Sequence, residues 1–113
     1  MPTIKRTNAN VAVGAVVNPL VGSQYEYLPF DALVEFAILA DAADTFTASV
    51  FSGSDVLMQN EVLDQLAVAT PIRYPDDYQI QDVAAAGERL GVQLTNTGGA
   101  PGDVRTLVRI TPV

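Results

Sequence analysis

The 113 residues suffice for one domain and carry thirteen acidic side chains against six basic ones, a net charge of −7, with neither histidine nor cysteine. Disulfides, thiolate zinc sites and imidazole or thiol catalysis are thereby excluded, and no stretch approaches the roughly 20 apolar residues that a bilayer-spanning helix needs. Hydrophobic residues reach 49% while charged ones reach only 17%, below the roughly 25% typical of soluble domains, which points to apolar surface covered by partner subunits.

Residues 1–10 are polar and read as an N-terminal arm, with residues 11–113 as a single β-sandwich domain. The arm holds Lys5 and Arg6, so the body sets four arginines (Arg73, Arg89, Arg105, Arg109) against all thirteen acids and repels polyanions. Nucleic-acid binding by the folded domain is disfavoured, and only the arm is suited to touch phosphate. The Val-rich run at 11–17 is short for a signal-peptide core, lacks a small-x-small cleavage site and is stopped by Asn18-Pro19. It reads as mature sequence, an edge strand or a segment packed on a neighbour, and no lipidation signal is present. Gly22 and Pro29 then punctuate a short Gln24–Leu28 stretch, in which Tyr25 and Tyr27 share one face if extended.

From Asp31 the residues DALVEFAILA fit helix by composition and strand by order, and strand is favoured, with Val34, Phe36, Ile38 and Ala40 on one face. After a turn at 41–44, Phe46, Ala48 and Val50 alternate with Thr45, Thr47 and Ser49, a strand rich in β-formers. Ser52-Gly53-Ser54-Asp55 reads as a hairpin turn into 56–59. Residues 60–70 read equally as one helical turn capped by Asn60 or as an irregular strand. A turn at Asp76-Asp77 leads into an alternating strand at 78–81, and Gly87 supplies positive φ to a helical or tight turn. Leu90, Val92 and Leu94, then Val104, Thr106, Val108 and Ile110, form two alternating runs joined by NTGGAPG, expected as a C-terminal hairpin whose outward stripe is Arg105, Leu107 and Arg109. Together these elements predict an all-β fold, an antiparallel, jelly-roll-like sandwich of about seven or eight strands with at most one short helix.

Catalytic signals are weak. Lys5 is the only lysine and lies on the arm, and Asp76 and Asp77 point apart on an extended segment and suit a turn. Calcium on the loops holding Asp41, Asp44, Asp55, Asp76 and Asp77 lacks the helix-loop-helix ligand pattern. Tyr25, Tyr27, Tyr74 and Tyr78 would suit a sugar-stacking platform, but without tryptophan they fit a core edge or a subunit contact better. The chain therefore reads as a non-enzyme without metal, cofactor or small-molecule substrate. Its expected contact residues are Val11, Val13, Val16, Val17, Tyr25, Tyr27, Arg105, Leu107 and Arg109.

The polar arm followed by NPLVGSQYEYLPF, the segment YPDDYQIQDVAAAGERLGVQLTN and the terminal VRTLVRITPV together resemble the small β-structured virion proteins of bacteriophages, of the capsid decoration and minor capsid type. The resemblance implies a structural role in the virion, edges completed by copies of the chain or other capsid proteins, and no cofactor or catalytic residue. A secreted or surface adhesion module that binds carbohydrate is the alternative that the same sandwich allows.

Overall fold

The computed structural model describes residues 3–42, 44–67, 70–74, 77–78 and 80–113. Its strands in chain order are β1 (Thr3–Val11), β2 (Val16–Val17), β3 (Ala32–Ala40), β4 (Phe46–Ser52), β5 (Asp55–Val62), β6 (Ile80–Ala84), β7 (Leu90–Asn96) and β8 (Gly102–Pro112), with no helix among the described residues. They form two four-stranded sheets, β1-β8-β3-β6 (sheet A) and β2-β7-β4-β5 (sheet B), every ladder antiparallel. This is the double Greek-key order of an eight-stranded jelly roll.

The core between the sheets follows from the alternation of side chains along each strand. Val34, Phe36 and Ile38 of β3 and Val104, Val108 and Ile110 of β8 meet Phe46, Ala48 and Val50 of β4 and Leu90, Val92 and Leu94 of β7, all in one buried cluster. β3 is also buried on its other face, where Glu35, Ala37 and Leu39 are covered from outside. A strand buried on both faces has no reason to alternate, which is why its composition looked helical.

Several expectations are corrected. The expected polar arm is largely β1: Thr3 to Asn8 pair in register with Arg109 to Val104, placing the strand at the edge of sheet A. Its Lys5 and Arg6 are charges of the kind that discourage further pairing at a sheet edge. Of the 11–17 run, Val11 ends β1 opposite Gly102 and Val16 and Val17 form β2, and Gln24–Leu28 contributes one bridge, Tyr27 with Arg89. Asn60 caps no helix; it lies in β5 with φ 49° at an irregular stretch of the β4–β5 register, and its N–H donates to Ser49 Oγ at 3.1 Å. The strand expected at 78–81 is displaced to β6.

The expected C-terminal hairpin is an arch. β7 lies between β2 and β4 in sheet B, whereas β8 lies between β1 and β3 in sheet A. Buried Asn96 shapes the crossing: its Nδ2 donates to Val11 O and Ala100 O, both at 2.9 Å, and its Oδ1 accepts from Gly98 N at 2.9 Å. By contrast β4 and β5 are a true hairpin around Gly53, whose φ of 60° suits glycine.

Candidate functional site

Part of the outer face of sheet A, around Glu35, Ala37 and Leu39 of β3, is covered by the chain itself, while Val83 of β6 at its other end stays 67% exposed. Leaving β5, the segment from Leu63 runs along the end of β3, where Ala40 N donates to Asp64 O at 3.1 Å and Leu66 N donates to Ala40 O at 2.8 Å. Arg105 then clasps this strap. Only 6% exposed, it donates Nη1–H to Thr70 O at 2.7 Å and Nη2–H to Leu66 O and Ala67 O, each at 3.2 Å.

Further along β8, the Arg109 guanidinium lies 3.9 Å from the centre of the Tyr74 ring, and Tyr74 meets Tyr78 edge-on at 5.1 Å. Beneath them Glu35 is 2% exposed, accepts hydrogen bonds from Tyr74 Oη at 3.2 Å and Gln81 Nε2 at 3.4 Å, and stands 4.0 Å from Arg109 Nε. Burial raises the Tyr78 pKa above its ordinary 10.0; the Arg109 charge opposes this, while Glu35 and Tyr74 add to it. A carboxylate, a guanidinium and two phenols in contact invite a catalytic reading. Here Tyr74, Gln81 and Arg109 converge on the Glu35 carboxylate and tie the strap to sheet A.

Sheet B keeps its outer face. One row across it runs Val16, Thr95, Thr47, Val62, and another runs Gly91, Phe51, Val56, as the ladder pairs dictate. Between them lie Gln93 and Ser49, beside Asn60. None of these side chains is charged. Val16 is 55% exposed, Val56 55% and Val62 67%. A groove of about 310 Å³ opens where Gly91 lacks a side chain, walled by Phe51, Gln93, Arg89 and the turn carrying Asn18, Leu20 and Val21.

Arg89, at one end of the groove, pairs with Glu26 at 2.8 Å and lies 5.9 Å from the Tyr27 ring centre. The Gly22 N–H, bonded to Glu26 Oε1 at 3.0 Å, is the main reason the Glu26 pKa lies below its ordinary 4.5; burial opposes the shift and Arg89 adds to it.

The structure separates the expected contact residues. Val11 belongs to the core, and Val17 and Tyr25 pack against it, Tyr25 also touching Phe30 with ring centres 6.4 Å apart. Val13, Val16 and Tyr27 are exposed. Arg105 is internal, and Leu107 and Arg109 are half-buried, so the stripe expected to reach a neighbouring copy instead faces the chain's own strap. Val21, Phe51, Val56 and Val62 were missed; the alternation of β4 and β5 carried part of that signal, but which face lay outward was legible only from the sheet.

The tyrosines do not share one platform: Tyr74 and Tyr78 meet each other, whereas Tyr25 meets Phe30 and Tyr27 lies beside Arg89. Asp77 Oδ2 accepts from Arg73 N within one turn, Asp44 Oδ2 accepts from Asp103 N across the fold, and Asp76 lies outside the described residues. No group of three or more acidic side chains able to hold a metal occurs among the described residues. Compared with known proteins, the chain matches no family model, no curated sequence and no solved structure.

Proposed function

We propose that this protein is a non-enzymatic structural component of a virion, which self-assembles or coats a capsid and buries the outer face of sheet B against neighbouring subunits. The observation that carries the reading is the pair of uncharged side-chain rows across the outer face of sheet B, edged by exposed valines, on a chain of net charge −7. Like-charged bodies repel, and a neutral apolar face is where two such bodies meet at least electrostatic cost. On the other sheet the strap held by Arg105 covers much of the corresponding surface, so sheet B offers the broader uncovered face. The jelly-roll strand order agrees with the reading by analogy of fold, since viral capsid domains use it, as do lectins.

Sedimentation of the purified protein, alone and with candidate capsid shells, tests the proposal. The expected result is a closed oligomer or stable attachment to a shell, either one lost in the double variant Val16→Asp/Val62→Asp while the β-type circular dichroism persists. A monomer at micromolar concentration with no affinity for any shell would overturn it.

A further inference from the structure

The groove at Gly91 lies beside a gap in the edge of sheet B, and the gap has a covalent cause. β2 pairs Val16 with Thr95 and Val17 with Leu94. Continuing that register sets Pro19 opposite Val92, and proline has no N–H to donate. The chain leaves the sheet there and returns for a single bridge between Tyr27 and Arg89.

Along β7 the even-numbered residues turn their backbone groups toward this edge. Glu88 O accepts from Leu28 N, Leu90 N donates to Glu26 O, and Asn96 O accepts from Gly14 N. Odd-numbered neighbours turn toward β4, as Thr97 N donating to Thr45 O and Arg89 O accepting from Gly53 N show. The Val92 N–H and C=O therefore aim into the gap, where no strand residue pairs with Val92: β2 reaches only Leu94, and the next bridge on this edge is at Arg89. Val92 is 2% exposed and lines the groove. A strand-edge donor and acceptor on one residue, with no strand beside them, are the groups that another extended backbone can pair with.

We propose that this groove binds a short, uncharged peptide in extended conformation, which adds to β7 as a strand fragment at Val92. The chemistry selects the ligand. A donor and an acceptor spaced along a strand edge are matched together by one residue of another extended backbone. The residue opposite Val92 directs its side chain inward and must be small. Its neighbour's side chain lies over Gly91 against the Phe51 ring, in the space that the missing side chain leaves. Asn18 and Gln93 offer amides at the sides. Glu26 at 2.8 Å already answers the Arg89 cation, so an anionic ligand finds no free charge there. This inference goes beyond the virion reading and does not depend on it.

The probe is N-acetyl-Val-Ala-Val-amide, titrated against the ¹⁵N-labelled full chain by NMR. The expected response is a saturable shift of the Val92 amide, with Gly91 and Gln93 following. The ester analogue that replaces the alanine N–H by oxygen should bind about fivefold more weakly, because it cannot donate to Val92 C=O. Gly91→Leu, which fills the groove, should abolish the response while leaving the circular dichroism unchanged. Gly91→Ala, whose added Cβ would stand 3.4 Å from Phe51 Cδ2, serves if the leucine variant fails to fold, and should weaken it. An unmoved Val92 amide, equal binding of amide and ester, or a response to maltotriose in place of the peptide would overturn the proposal.

Discussion

Replacing Arg105 by methionine tests whether β8 holds the strap or faces a neighbour. The side chain is 6% exposed and its guanidinium donates to three carbonyls, at 2.7, 3.2 and 3.2 Å. Hydrogen bonds to a charged group contribute about 1.5–3 kcal/mol each, but the desolvation of the guanidinium offsets part of this. The freed carbonyls of Leu66, Ala67 and Thr70, on partly or fully exposed residues, also regain water. The net loss is about 2–3 kcal/mol. With an unfolding entropy of about 2.1 cal/mol/K per residue, a chain of 113 residues loses about 8–13 °C in Tm.

Thermal unfolding followed by circular dichroism reads the loss, and limited proteolysis should show earlier cleavage between residues 63 and 74. Arg105→Lys should retain most of the defect, since one ammonium on a flexible stem does not reproduce a planar fork spanning three carbonyls. A Tm change below about 2 °C, or a defect that disappears on dilution as an intersubunit contact would, refutes the clasp.

Asn96→Ala should cost about 2–4 kcal/mol, because it leaves the buried Val11 carbonyl without its partner and frees the turn at Gly98. A lowered denaturation midpoint with an unchanged slope checks it. The raised pKa of Tyr78 means that its contribution to stability is complete below about pH 10, where an unfolded tyrosine titrates, and is lost as pH rises through the folded value. Tyr78→Phe should therefore flatten part of the alkaline loss of stability, and Glu35→Gln should bring the Tyr78 titration, followed by ultraviolet absorbance, to lower pH.

The strands legible in the sequence are those with one face in the core and one in water. β4 and β7 alternate Phe46, Ala48, Val50 and Leu90, Val92, Leu94 with residues that, Phe51 apart, are small or polar, because the two faces of a strand meet different surroundings. β1 lacked this signature: at the sheet edge, Ile4 and Asn8 are only half-buried and the residues from Lys5 to Thr7 are exposed, so backbone pairing to β8 rather than burial makes it a strand. Asn60 looked like a helix cap because asparagine tolerates both a cap and a left-handed backbone, and only the pairing with Ser49 distinguishes them.

By itself, the sequence determined the chemistry that is missing and the periodicity that makes two pleated layers, since both are properties of residue type and of local order. Tertiary structure decided which layer each strand joins and which polar stripe remains outside. Arg105 and Arg109 alternate outward on β8 as the sequence implies, yet a segment more than thirty positions earlier folds over them. The loop 97–101 carries the glycines of a hairpin, and only the partners of Asn96 turn it into an arch. Such contacts join residues far apart in the chain, and no local period records them.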